Sequence, residues 1–155
     1  MEEQMARRLV AEEGKKLQQA GLVARTWGNI SCRIDENHFV ITPSGLDYET
    51  MTARDLVLMD IRNGVCCGAH KPSSEKGVHL AAYQTFPEVG YVIHTHQTYA
   101  TAIGLCGFEQ LAMTEEEAEK LGGIARAAYG LSSTEKLAGA VYDAMQSGAK
   151  VVFMV

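Results

Sequence analysis

Apolar and polar positions along the chain follow two periods in turn, and the switches between them mark its elements. From residue 2 to residue 20 the pattern is helical: Met5, Leu9, Leu17 and Ala20 fall near one stripe, acids come first, Lys15 and Lys16 approach the far end, and Gly21 stops the run. Asn29 to Ile34 and Phe39 to Thr42 are short β-leaning runs joined by Asp35-Glu36-Asn37, which predicts a hairpin. Pro43-Ser44-Gly45 is a turn, Leu56 to Ile61 another strand, Asn63-Gly64 a tight turn and Val65 to Cys67 a return strand. Ser73 or Ser74 is placed to cap a helix running to about Phe86, with Val78, Ala82 and Tyr83 or Phe86 facing inward and Pro87 beyond its end. Gly90 opens the strand Tyr91-Val92-Ile93-His94, and Thr98 to Leu105 reads as a short helix. Ala112 to Ala128 is acid-rich and poorly punctuated, with Gly122-Gly123 interrupting any long helix. Ser133-Thr134 starts a last helix through Leu137, Val141, Ala144 and Met145, ended by Ser147-Gly148, and Lys150 to Val155 has the pattern of a buried strand. A core strand running to the last residue predicts a longer protein shortened at this point.

Length and charge narrow the classes. The 155 residues suffice for one domain, 1–155, with a proper core, and 46% hydrophobic with 21% charged residues describes a globular chain. A formal charge of -5 argues against a nucleic-acid partner, because Arg7-Arg8 and Lys15-Lys16 are interleaved with Glu2, Glu3, Glu12 and Glu13 and form no basic face. No apolar run approaches bilayer length and the acidic N-terminus is unlike a secretory signal, so the expectation is a cytoplasmic protein without a membrane partner. Cys32, Cys66, Cys67 and Cys106 form no CxxC pair and are expected as reduced, partly buried thiols.

The candidate chemistry lies in His94-Thr95-His96. A period of two sends both imidazoles to one side of a strand, and neutral imidazole is the commonest metal ligand. Such a pair needs one or two more groups to hold zinc, and Glu75 is the carboxylate to bring there. The plain alternative is a pair of histidines hydrogen-bonded within a sheet. Three polar turns accompany the pair: Thr26-Trp27-Gly28-Asn29, Thr42-Pro43-Ser44-Gly45 and Pro72-Ser73-Ser74. Each offers hydroxyl or amide groups beside exposed backbone N–H, and the last sits at a helix N-terminus, where anions bind. Singly, each also reads as an ordinary turn or cap.

Gly28-Asn29-Ile30-Ser31, Ile41-Thr42-Pro43-Ser44-Gly45, Pro72-Ser73-Ser74-Glu75 and His94-Thr95-His96, in this order and at these separations, resemble the class II aldolase/adducin family over essentially the whole chain. The resemblance implies a three-layer α/β/α sandwich around a mostly antiparallel sheet, apparently truncated at its C-terminal end here. It implies a Zn2+ ion, or another divalent metal, held by His94 and His96 with Glu75 as acid/base and further ligand. It places the substrate phosphate on Thr26, Gly28, Asn29, Ser44, Gly45, Ser73 and Ser74. The implied partners are a small phosphorylated sugar or sugar acid and further copies of the chain, in a homotetramer.

Departures from the family pattern are equally specific. The family's third metal-binding histidine would fall beyond Val155, and His38, His70 and His79 match no ligand position, although His79 stands four residues after Glu75. Where the aldolases carry an aromatic hydroxyl in mid-chain, this sequence reads Thr114-Glu115-Glu116-Glu117, which leaves Tyr129 as an unproven substitute. The expected activity is that of an aldehyde-lyase cleaving a phosphorylated ketose through a metal-stabilised enediolate. A 4-epimerase or decarboxylase of the same family, or a non-catalytic adducin-like scaffold, are the alternatives.

Overall fold

A computed structural model describes residues 1–107 and 111–154. The expected last residue of the final strand, Val155, lies outside the described residues. Among the described residues twelve elements follow in order: α1 (Glu3–Gln19), β1 (Asn29–Arg33), β2 (His38–Ile41), β3 (Val57–Asp60), β4 (Cys66–Cys67), α2 (Lys76–Thr85), β5 (Tyr91–His94), α3 (Thr98–Cys106), α4 (Glu115–Leu121), β6 (Ile124–Arg126), α5 (Glu135–Met145) and β7 (Val151–Phe153).

The first five strands form one antiparallel sheet in the order β4-β3-β2-β1-β5. Strand alternation splits its side chains between two faces. Ile30, Cys32 and Val40 point to α1 and pack with Ala6, Val10, Ala11, Tyr48, Met51 and Leu56. Phe39, Ile41, Val57 and Met59 point to the other face and pack with Tyr83 of α2. Behind α2 lies α5, which buries Leu137, Val141 and Met145 against Val78, Ala81 and Ala82. The molecule is therefore an α/β/α sandwich around an antiparallel sheet, as the resemblance implies. Among the described residues no helix is long and apolar enough to cross a membrane.

The buried stripe of α1 is not the one its large residues predict. Ala6, Val10, Ala11 and Gly14 face the sheet, while Met5 is 54% exposed. Closeness of approach decides this: a Cβ on Gly14 would stand 2.6 Å from Tyr48 Cδ1, so small residues set the contact and larger ones splay to the sides. Cys32 is the one buried thiol, and Cys66, Cys67 and Cys106 are exposed, which corrects the expectation of four partly buried ones. The strand β7 forms, but half-buried and paired in parallel with β6 rather than as a core strand of the main sheet. β6 itself has no sequence signature, because three residues after a Gly-Gly turn are too few to show a period.

In the poorly punctuated segment, α4 is defined by a capping box. Thr114 Oγ1 accepts from the Glu117 backbone N–H at 3.2 Å, and Glu117 Oε2 accepts from the Thr114 backbone N–H at 2.8 Å. Gly122, left-handed at φ 68°, ends the helix. The acidic run at the family's aromatic position is thus the start of a helix.

Candidate active site

Side chains with chemical potential gather at one end of the main sheet, where β1 begins and β2 and β5 end. The register pairs Asn29 with His94. On the other side of β1, the Thr42 backbone N–H donates to Ile30 O at 3.1 Å and Thr42 Oγ1 accepts from the Ile30 backbone N–H at 3.3 Å. Thr42 O in turn accepts from the Ser73 backbone N–H at 3.0 Å, the Ser44 N–H donates to Lys71 O at 2.9 Å, and Pro43 bridges Pro72. The result is a row running from His94 through Asn29 and Ile30 to Thr42 and Ser73, which brings all three polar turns to the side of the histidine strand. Thr26, Ser44, Gly45 and Ser74 are exposed on it, Gly28 is half-buried, and Asn29 and Ser73 are buried.

Gly28 carries the tightest constraint. Its φ is +83°, and a Cβ there would lie 2.6 Å from Val23 Cγ1 and 2.8 Å from the His94 carbonyl oxygen, so the turn closes directly on the histidine strand.

The two imidazoles stack, with ring centroids 4.8 Å apart and planes at 17°. Trp27, exposed and next to Gly28, tilts against His96 with centroids 5.8 Å apart. The sequence placed Trp27 in a polar turn and assigned it no role. Burial, then the nearby His96, lowers the His94 pKa from 6.5 to about 4 against the opposing pull of Glu75, so His94 keeps its lone pair at neutral pH.

Glu75 is 7% exposed at the N-cap of α2. Neither Ser73 nor Ser74 caps that helix through its side chain, contrary to the expected arrangement: Ser73 Oγ accepts from the Glu75 N–H at 3.2 Å, and the tight Ser73–Lys76 turn brings Glu75 to the cap position. The Glu75 carboxylate is instead held from the loop before α5. Its Oε1 accepts from Ser132 Oγ at 2.5 Å and from the Ser133 backbone N–H at 3.0 Å, with Ser133 left-handed at φ 67°. These two serines lie nearly sixty residues from Glu75 along the chain, and no local signal tied either of them to it. Thr134, not Ser133, caps α5, accepting from the Leu137 N–H at 3.2 Å.

Glu75, His94, His96, Gln97, Thr101 and Ser132 share a cavity of about 500 Å³ whose inner wall is apolar. The structure thus places the three expected ligands around one space but does not close them into one set. Among the described residues, no group of three His, Cys, Asp or Glu side chains is arranged to hold a metal ion. The Glu75 carboxylate is engaged instead by Ser132 and Ser133. The donors nevertheless fit a divalent cation: His94 Nδ1 is buried without a hydrogen-bond partner, a state that costs about 1–3 kcal/mol and that an electrophile relieves.

The other histidines stand apart. His38 lies 3.1 Å from Asp35 and His70 3.1 Å from Asp55, both pairs partly exposed. His79 is fully buried, with Nδ1 2.6 Å from Ser31 Oγ and Nε2 2.5 Å from Asn29 Oδ1. Desolvation, then the neighbouring His94, lowers its pKa from 6.5 to about 3. Between these values the unfolded chain takes up a proton that the folded one refuses, so this contribution is fully present above about pH 6.5 and declines as the pH falls toward 3. From pH 7 to pH 5 His79 alone removes about 2 kcal/mol of stability, and His94 adds in the same direction. Urea unfolding at the two pH values measures this, and His79→Gln flattens the profile.

Comparison with known proteins agrees with this geometry. The family model for the class II aldolase and adducin N-terminal domain matches residues 8–155. An L-fuculose 1-phosphate aldolase superposes with a TM-score of 0.87 at 33% identity over 97% of this chain and 71% of its own. Two others are similar in fold: YgbL from Klebsiella pneumoniae, a candidate aldolase/epimerase/decarboxylase (TM-score 0.87, 22% identity, 100% of this chain and 76% of its own), and L-fuculose-1-phosphate aldolase from Thermus thermophilus (TM-score 0.74, 24% identity, 98% and 74%). With its sandwich fold, its three converging turns and its paired histidines beside a buried glutamate, the chain belongs to the class II aldolase and adducin N-terminal domain family.

Proposed function

We propose that this chain carries the site of a divalent-metal-dependent aldehyde-lyase acting on a phosphorylated ketose in the cytoplasm. The observation that carries the reading is the partnerless, buried His94 Nδ1, stacked with His96 in the same cavity as a buried carboxylate and beside three turns rich in N–H and hydroxyl groups. His94 and His96 would hold the cation, Zn2+ in the first instance, with Glu75 as the third donor once its carboxylate leaves Ser132 and Ser133. When bound, such an ion supplies Lewis-acid stabilisation where carbon–carbon cleavage leaves negative charge.

The chain's own residues do the remaining work. Thr26, Gly28, Asn29, Ser44, Gly45, Ser73 and Ser74 bind the phosphate at the edge of the row, and this remote grip orients the bond to be broken. Glu75 moves the proton to or from the carbon that carries the charge after cleavage. Burial in a partly apolar cavity excludes water from that step. Retention of Glu75, His94 and His96 together argues against a scaffold role, which needs none of them.

Incubating the Zn2+-loaded chain with a panel of phosphorylated ketoses and identifying the products tests the reading. Cleavage yields an aldehyde and a shorter phosphorylated ketone. Inversion at C4 without fragments would make the site an epimerase, and release of carbon dioxide from a sugar acid a decarboxylase.

A further inference from the structure

Behind the phosphate turns runs a chain of buried hydrogen bonds that the proposed chemistry does not use. Tyr83 and His79, one turn apart on α2, reach the start of β1: Tyr83 OH lies 2.8 Å from Ser31 Oγ, Ser31 Oγ 2.6 Å from His79 Nδ1, and His79 Nε2 2.5 Å from Asn29 Oδ1. His79 and Ser31 are fully buried, and Tyr83 and Asn29 are 1% and 4% exposed, so water does not complete the bonding.

Counting protons gives the chain a direction. Burial keeps His79 neutral, so its ring has one N–H. The Asn29 carbonyl oxygen can only accept, which places that N–H on Nε2. Nδ1 then accepts from the Ser31 hydroxyl. Ser31, its proton committed, accepts from Tyr83, whose own oxygen is approached by the Val92 backbone N–H. Each of the three donors, Tyr83 O–H, Ser31 O–H and His79 Nε2–H, then has one acceptor. The chain ends on the Asn29 carbonyl, and the Asn29 NH2 group is thereby turned away from α2. Run in the opposite direction, the same chain would put the NH2 toward His79 and the carbonyl oxygen toward the turns, where it would repel an anion.

We infer that His79 is a positioning residue for the anion cleft: its Nε2–H, fixed by Ser31 and Tyr83, pins the Asn29 carbonyl so that the Asn29 NH2 is presented as a donor to the substrate phosphate. The inference rests on the reading of this cleft as the phosphate site. It assigns a task to a histidine that is neither a metal ligand nor in contact with substrate, and it accounts for the buried tyrosine–serine pair between α2 and β1. Two helix residues thereby set the polarity of a site on the neighbouring strand.

Two measurements on the folded chain test it. The first is the ring 1H–15N correlation spectrum of His79, expected to show the Nε2–H tautomer; a Nδ1–H tautomer overturns the inference. The second is a titration with inorganic phosphate, followed at the amides of Gly28, Gly45 and Ser73. His79→Leu, which removes the donor, is expected to weaken binding by about tenfold, the scale of one charge-assisted hydrogen bond misdirected. His79→Gln, whose amide can still donate to Asn29, is expected to recover most of that loss. Should His79→Leu fail to fold, Ser31→Ala serves: with Nδ1 freed, the ring is expected to populate both tautomers and phosphate binding to weaken. Unchanged phosphate affinity in whichever of these two variants folds, or failure of the Gln variant to recover binding, overturns the positioning role. Absence of phosphate shifts in the unaltered chain, with the Nε2–H tautomer present, overturns the phosphate reading of the cleft itself and the role of Asn29 with it.

Discussion

If the proposed lyase reading holds, replacing Glu75 by Gln is expected to lower the rate of ketose-phosphate cleavage by about 10²–10⁴-fold, the usual cost of deleting a positioned proton carrier. The substitution keeps shape and keeps an oxygen that can accept from Ser132 Oγ and the Ser133 N–H, so the loop before α5 stays docked and the fold is retained. What is lost is a group that can take up and release a proton. Steady-state kinetics on Zn2+-loaded protein, with unfolding curves alongside, measure both halves. Because the proposal also makes Glu75 the third donor to the cation, zinc affinity is expected to fall as well; assays at saturating metal separate this from the proton step. Turnover within a factor of about three of the unaltered chain at saturating metal would remove Glu75 from the chemistry, since general acid–base groups contribute far more than that.

The second large effect is structural. Gly28→Ala puts a Cβ where the backbone is left-handed, at about 1–2 kcal/mol, and drives it to 2.8 Å from the His94 carbonyl oxygen and 2.6 Å from Val23 Cγ1, an overpacking cost of about 1–3 kcal/mol. The His94 oxygen belongs to the backbone of a paired strand and cannot swing aside, so the turn must shift. Urea unfolding is expected to show a loss of about 2–5 kcal/mol. Gly45→Ala supplies the contrast. Its φ is +75°, but nothing lies within 4 Å of the added Cβ, so the conformational cost of about 1–2 kcal/mol stands alone. Equal losses at the two positions would mean that the approach of the Gly28 turn to His94 is looser than the distances state.

What the sequence reveals of this molecule follows the range of each interaction. The helices α1, α2 and α5 and the strands β1 to β3 and β5 are legible because period and punctuation are local. The His94–Thr95–His96 pair is legible for the same reason, since alternation alone puts both rings on one side. The inward stripe of α1 is not, because Gly14 is chosen by the ring of Tyr48, more than thirty residues later, and a reading weighted toward large apolar residues selects Met5 instead. The serines that hold Glu75 and the partners of His79 require the packing of α5 on α2 and of α2 on β1, which no spacing encodes. The capping box at Thr114 and Glu117 was available as a local signal in an acidic run that otherwise looked unpunctuated.

Charge follows the same logic. His79 and His94 stay neutral through burial, so the acid sensitivity of this fold originates inside it. Exposed ion pairs such as Lys120 with Glu116 and Lys16 with Glu13 lie on solvated helix faces, where they contribute little.

The most direct test of the metal-dependent lyase reading is product release from a phosphorylated ketose by three samples in parallel: the chain with Zn2+, the chain with a chelator, and His94→Ala with Zn2+. The reading predicts aldehyde in the first alone, with phosphate still bound by all three. Aldehyde at the same rate in the chelated sample or in His94→Ala would contradict it, as would a zinc-loaded chain that binds every ketose phosphate offered and cleaves none.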